Sequence, residues 1–215
     1  MSLEDTHQFS MDEQSREIFI DRARGNIEES DVDSRMASTF IKNLRHLDKK
    51  PNPILIHLTG GGGGNWEDGM AMYDAITFSE SFITILIYGH ACSMSSIIPQ
   101  AADYRVVMPN TYMMCHYGYD SLDDVHMNVR LWIAFNSSKL SKSLISIYAS
   151  KMQNSKFVDE KAVKNNLSYS KRHLTNKLKD GDWYLTAEEM IYYGFADAIM
   201  GEKFSSVKEL KNYYE

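Results

Sequence analysis

The stretch ILIHLTGGGGG at residues 54–64, answered by ITILIYGHACSM at residues 83–94, decides the architecture. Each opens with a short apolar run rich in β-branched residues, Ile54–Leu58 and Ile83–Tyr88. Such runs are too short for a buried helix and too uniformly apolar for a strand with one wet face. Each run ends in small residues, Gly60–Gly64 and Gly89–Ser93, and each turn leads into a helical pattern, over Glu67–Phe78 and Ser95–Ala102. Strand, turn and helix in repetition predict βαβ units and a mainly parallel sheet covered by helices.

Upstream, Val32, Met36, Phe40, Leu44 and Leu47 are spaced for the buried face of a helix over Glu28 to Leu47, closed by Pro51 and Pro53. A strand is expected at Glu17–Ile20. Residues 1–15 are polar without periodicity and are expected to form a flexible tail, leaving 16–215 as the domain. Downstream, strands are expected at Tyr104–Met108 and Tyr112–Cys115, separated by the turn signal Pro109-Asn110. From about residue 122 to 152 one long helix is expected, with Val125, Val129, Trp132, Ile133, Leu140, Leu144, Ile147 and Tyr148 recurring at three and four and one break near Asn136–Ser138. Its length exceeds the needs of a compact domain, so it should project towards another subunit. Thr186 and Glu189 have capping-box spacing, which predicts a helix from Ala187 to a stop at Gly194.

A chain of 215 residues fits one domain, and 43% hydrophobic against 24% charged residues excludes wholesale disorder. No apolar run is long enough to span a bilayer, and the opening Met-Ser-Leu-Glu-Asp-Thr lacks the apolar core of a signal peptide. Two cysteines exclude a disulfide framework, and we expect a soluble cytoplasmic protein. A net charge of −6 argues against a dedicated nucleic-acid binder. The charge is uneven: residues 136–180 hold ten Lys/Arg against three acids, +7, so the rest of the chain carries −13. With no aromatic-and-basic RNA-binding motif, this reads first as a solvated helix face and second as a subunit contact.

Three features could carry chemistry. The run Gly60–Gly64 lacks the following Gly-Lys-Ser/Thr of a phosphate loop, offers no G-x-G-x-x-G register, and leads to Glu67 and Asp68, which would repel phosphate. Its backbone N–H groups suit an oxyanion hole better; the bland alternative is a flexible turn. Ser93 stands on a strand-to-helix turn with the small residues Ala91 and Ser95 two positions away, as an exposed nucleophile requires, although the literal G-x-S-x-G is absent and most such serines are helix caps. His116, at the end of a strand 23 residues on, is of the type that activates a serine hydroxyl; the bland alternative is a buried structural histidine. His57, His126, His7, His46, His90 and His173 lack comparable settings. Cys92 and Cys115 could suggest a metal site with His90 and His116, but no C-x-x-C or H-x-x-x-H spacing supports it, and both read as small core residues. No metal or cofactor is expected. Acids are too plentiful after His116 for spacing to choose a third partner.

At this point the stretch from Ile54 to His116 resembles the ClpP peptidase family, the proteolytic subunits of ATP-dependent caseinolytic proteases. The matching pieces are Gly63-Gly64, Gly69-Met70-Ala71-Met72-Tyr73-Asp74, Gly89-His90-Ala91-Cys92-Ser93-Met94, Pro109-Asn110-Thr111 and Met114-Cys115-His116. The segment Asp182–Glu189, followed by Tyr193-Gly194-Phe195-Ala196-Asp197, matches the family's closing segment. The resemblance implies an α/β spiral of ββα units, shared with crotonases, and a long helix protruding as a handle. It implies Ser93 as nucleophile, His116 as general base, Asp182 as the residue orienting that base, and the N–H groups of Gly64 and Met94 as oxyanion hole. It further implies a serine endopeptidase acting on unfolded chains or peptides inside a homo-oligomeric, heptamer-based ring.

The chain departs from the family at several places. Gly62 replaces the proline before the Gly-Gly pair, Ser95 stands where glycine is common, and Tyr117-Gly118 replaces a polar residue and proline. Trp183 follows the presumed Asp where a basic or polar residue is usual, and the stretch from His116 to Asp182 is longer and more basic. The pore-loop segment and amphipathic first helix are not recognisable. These changes spare the three site residues but weigh against an ATP-driven unfoldase as partner and against the usual double ring. The competing readings are an inactive ring subunit with an assembly or regulatory role, a crotonase-type acyl-CoA enzyme, and a signal-peptide or capsid-processing peptidase that uses a serine with a lysine base. No lysine falls between Lys50 and Lys139 to serve the last.

Overall fold

The computed structural model describes residues 3–21, 32–118, 126–161 and 165–214. In chain order the elements are helix α1 (Leu3–Phe9), strands β1 (Met11–Asp12) and β2 (Glu17–Ile20), helix α2 (Ser34–Leu47), strand β3 (Ile54–Gly61), helix α3 (Trp66–Thr77), strand β4 (Ile83–Cys92) and helix α4 (Met94–Ile97), which tightens into a 3₁₀ turn, Ile98–Ala101. Strands β5 (Tyr104–Val107) and β6 (Tyr112–Cys115) follow, then helix α5 (His126–Phe135), a π-helical turn Asn136–Leu140, and helices α6 (Ser141–Met152), α7 (Lys156–Asp159) and α8 (Asn166–Leu178). Strand β7 (Trp183–Thr186), helix α9 (Ala187–Tyr193), strand β8 (Ala198–Ile199) and helix α10 (Val207–Asn212) complete the chain.

The sheet runs β1-β2-β3-β4-β5-β8, and β6 joins β4 to β7. Pairs β2–β3, β3–β4, β4–β5, β4–β6 and β5–β8 are parallel, while β1–β2 and β6–β7 are antiparallel. Strand β4 is long enough to serve two neighbours on one edge: Thr84–Ile87 pairs with β5, and His90–Cys92 pairs with β6. Pro109-Asn110 interrupts the chain between them.

The apolar runs are explained by burial on both faces. Ile54, Ile56, Leu58, Ile83, Ile85 and Ile87 join the main core under the helices. The alternate residues Leu55 and Leu86 point the other way, into a second cluster with Val106, Phe204 and Leu210. Helix α2 is capped by the Asp33 carboxylate, which accepts from Met36 N–H at 2.7 Å. The Thr186–Glu189 capping box forms as expected, and Gly194 ends α9 in the left-handed region at φ 79°.

Two expectations are revised and a third is made specific. Residues 1–15 were expected to be a tail, but α1 and β1 lie among them; Asn43 holds the Phe9 carbonyl at 2.7 Å, and Phe19 N–H that of Ser10 at 2.8 Å. The long-range contacts that order this segment leave no trace in a polar local sequence. Gly89–Ser93, read as a turn, is strand as far as Cys92, because β6 supplies the missing edge partner. The break near Asn136–Ser138 is a π-turn between two helices. Within α5 no side chain is buried, whereas α6 buries Leu144, Ile145, Ile147, Tyr148, Ala149 and Met152. Val125 and residues 28–31 lie outside the described residues. Among the described residues no helix is long and apolar enough to cross a membrane.

Candidate active site

Register brings the predicted residues together. Cys92 on β4 is level with Met114 on β6, so the two parallel strands end side by side, and Ser93 N–H extends the ladder by donating to Met114 O at 2.8 Å. On the other edge of β6, Cys115 pairs with Trp183 in antiparallel register, which sets His116 opposite Asp182. Sixty-five residues of intervening chain are bridged by four residue pairs.

The side chains meet accordingly. His116 Nε2 lies 2.7 Å from Ser93 Oγ, and His116 Nδ1 lies 3.3 Å from Asp182 Oδ1. A carboxylate only accepts, so a ring hydrogen on Nδ1 would leave Nε2 to accept from the serine hydroxyl. The imidazole is 18% exposed and Asp182 46% exposed. Ser93 has φ 53° and ψ −125°, a strained conformation for a residue bearing Cβ, at the point where strand turns into helix. The turn lifts Oγ off the strand end.

The glycine run closes over this serine. Strand β3 continues to Gly61, and the loop then crosses Ser93, where a Cβ on Gly63 would meet Ser93 Cβ at 2.5 Å. Gly64, at φ 144°, forms a bridge with Val32: Val32 N–H donates to Gly63 O and Asn65 N–H to Val32 O, each at 2.8 Å. That pairing fixes the peptide plane of Gly64. Met94 opens α4, so its N–H belongs to the first turn, where no intrahelical acceptor exists. A cavity of about 220 Å³ borders these groups, walled by Gly64, Met94, His116, Trp132, Leu140 and Leu144 among others. A larger one, about 790 Å³, lies between α1, β2 and α2 and contains none of the predicted site residues.

The remaining candidates lie apart. His57 is buried in β3 with Nδ1 3.1 Å from the Tyr88 hydroxyl, and the His90 ring stacks on Tyr112. Cys92 and Cys115 are buried and form no disulfide, and burial pushes Cys115 up to about 12, far from the range of a reactive thiolate. Residue reasoning overlooked Trp132, Leu140 and Leu144 as cavity walls: at helical spacing they look like any core stripe. It also overlooked Val32, whose backbone, not its side chain, shapes the glycine loop.

Comparison with known proteins gives the family. Residues 12–203 match the family described as Clp protease. The chain is 26% identical over 172 residues to the ATP-dependent Clp protease proteolytic subunit of Streptococcus uberis, covering 79% of this chain and 80% of that protein. It is 27% identical to the subunit of the same name from Streptococcus agalactiae, with the same coverage, and 24% identical over 179 residues to that of Carsonella ruddii, covering 80% and 81%. With nearly the whole α/β body matched and the strand ends aligned as they are, this chain belongs to the Clp protease family.

Proposed function

We propose that this chain is a serine endopeptidase that hydrolyses peptide bonds in unfolded proteins or peptides, with Ser93 as nucleophile, His116 as general base and Asp182 as the orienting carboxylate. The observation that carries the reading is the 2.7 Å approach of His116 Nε2 to Ser93 Oγ with Asp182 on the opposite ring nitrogen. In this reading His116 takes the hydroxyl proton as Oγ attacks the substrate carbonyl, and the resulting oxyanion is met by the N–H groups of Gly64 and Met94. The imidazolium then returns the proton to the leaving amine, and water hydrolyses the acyl-enzyme by the same route reversed. The cavity beside Ser93 would receive the side chain preceding the scissile bond.

Assembly into a homo-oligomeric ring belongs to the same reading. Helix α5 leaves Met127, Leu131, Ile133 and Phe135 all exposed, an apolar helix surface that a second copy of the chain would cover. The relatives are named as subunits of an ATP-dependent protease; short peptides would reach Ser93 without an ATPase, and an unfoldase would matter only for folded substrates. Two buried cysteines that form no disulfide fit a reducing cytoplasm.

The test is covalent labelling of the native protein with a fluorophosphonate, the adduct located by peptide mass spectrometry and assembly followed by light scattering. Labelling of Ser93 that vanishes in His116→Ala is the expected result. An assembled ring that stays unlabelled would overturn the peptidase reading in favour of an inactive subunit.

A further inference from the structure

A hydrogen-bond chain runs through the core directly behind Ser93. The Ser93 carbonyl accepts from Ser96 N–H at 2.9 Å and from Ser96 Oγ at 2.6 Å. Ser96 Oγ lies 2.5 Å from the hydroxyl of Tyr148, 52 residues away on α6. The buried thiol of Cys115, the residue before His116, lies beside both hydroxyls. All three side chains are fully buried.

Donor counting fixes the direction. Ser96 has one hydroxyl hydrogen and spends it on Ser93 O, so it must accept from Tyr148. Burial raises the Tyr148 phenol well above its ordinary range, which keeps it protonated and donating at any working pH.

The carbonyl of Ser93 and the N–H of Met94 are two ends of one planar amide. Two donors on the oxygen hold that plane at a residue whose φ of 53° would otherwise favour relaxation. Hydrogen bonds in series also polarise one another, drawing electron density towards the carbonyl and leaving the N–H more positive. We propose that Tyr148 and Ser96 are positioning residues that fix and polarise the Ser93–Met94 peptide, so that Met94 N–H meets the developing oxyanion. The inference rests on the serine-peptidase reading of Ser93. It links helix α6 to the reacting centre through a tyrosine that would otherwise be only a core residue, and it uses the ring's packing edge-on to Phe195 at 5.5 Å as its anchor.

The test uses the full chain and the fluorophosphonate probe, separating the maximal labelling rate from probe affinity. Loss of one oxyanion donor costs about 10²–10³ in rate, and weakening one should cost less. Tyr148→Phe should lower the maximal rate roughly fivefold to tenfold and Ser96→Ala about tenfold or more, with affinity and the pH midpoint of labelling unchanged. Ser96→Thr, which keeps the hydroxyl, should stay within about twofold of wild type, and the double variant should be no slower than Ser96→Ala because the groups act in series. Wild-type rates in Tyr148→Phe, or losses in the double variant that multiply, would overturn the relay. Should Tyr148→Phe not fold, Ser96→Ala against Ser96→Thr decides the matter with Tyr148 in place. A second readout needs no activity: the Met94 amide proton in methionine-¹⁵N-labelled protein should move upfield in Ser96→Ala and not in Ser96→Thr. An unmoved resonance with normal labelling removes the relay alone; a moved resonance in a protein that never labels removes the peptidase reading alone.

Discussion

Gly63 and Ser93 are packed so closely that a Cβ on the glycine would lie 2.5 Å from the serine Cβ and 3.0 Å from its Oγ. Residue 63 also sits at φ 108°, outside the range of residues with a side chain. The glycine loop and the serine turn therefore share one position, and neither can move without the other. Gly63→Ala should displace Oγ from the His116 ring and reduce Ser93 labelling by at least about 10²-fold, since misplacement of a reacting atom by around 1 Å has that effect. A labelling rate near wild type in a folded Gly63→Ala protein would show that the loop yields more easily than this contact allows.

Ser93 and His116 act as a unit in the proposed mechanism, whereas Asp182 stands in partly open water. Ser93→Ala and His116→Ala should each lower peptide hydrolysis by about 10⁴-fold or more, and the double variant should be no worse than either. Asp182→Asn should also lose activity, by up to about 10⁴-fold, because the amide can present a hydrogen to Nδ1 and leave the wrong tautomer. With Asp182 46% exposed, Asp182→Ala admits water to the vacated place and should lose less than His116→Ala. Steady-state hydrolysis of a fluorogenic peptide reads all five; equal losses in Asp182→Ala and His116→Ala would contradict the ordering.

Arg105 is held on three sides. Its Nε and Nη2 bind the two carboxylate oxygens of Asp197 at 2.8 and 2.7 Å, its Nη1 binds Gln100 at 2.9 Å, and its side chain is 8% exposed. The pair fastens the end of α9 to β5 and the turn after α4. Arg105→Met leaves the buried Gln100 without its donor and Asp197, 28% exposed, without its cation, so it should destabilise by about 1–3 kcal/mol in urea unfolding. Arg105→Lys should fail to rescue it, since an ammonium cannot span both oxygens. A loss below about 1 kcal/mol would mean that water reaches the site on substitution.

Glu17 provides a pH signature. His57 at 3.9 Å and Lys211 at 2.9 Å hold its carboxyl down to about 2 against the opposing effect of burial. A carboxyl depressed in the folded state stabilises fully above its ordinary value near 4.5, and that stability is lost as pH falls from there through about 2. Glu17→Gln should therefore cost about 1–2 kcal/mol at pH 7, allowing for partial solvent screening, and the gap to wild type should close on acidification below pH 4.5. Thermal melting of the two proteins across that range measures it. A constant gap would assign the effect to packing rather than charge.

The local pattern of the chain carried most of the fold. Ile54–Leu58 and Ile83–Tyr88 announce doubly buried strands because burial on both faces leaves no polar alternation, and Thr186, Glu189 and Gly194 announce α9 because capping is chemistry between near neighbours. Ser93 and His116 were visible as residue types at strand ends. Asp182 was reached through resemblance, because nothing within its own segment distinguishes it from the acids around it; its distinction is the β6–β7 register that sets it opposite His116. The ordering of residues 3–12 was likewise hidden, since Asn43 and Phe19 supply the contacts from elsewhere. Tyr148 looked like core at helical spacing, and its periodicity gave no hint of the hydroxyl's partner at Ser96. Sequence by itself determined the strands, the caps and the reactive residue types, for those follow from side-chain chemistry over a few neighbouring positions. Tertiary structure alone decided which acid faces the histidine, how closely the glycine loop packs on the serine, and which core hydroxyl stands behind it. Those are distances between segments tens of residues apart, and only strand register and helix packing set them.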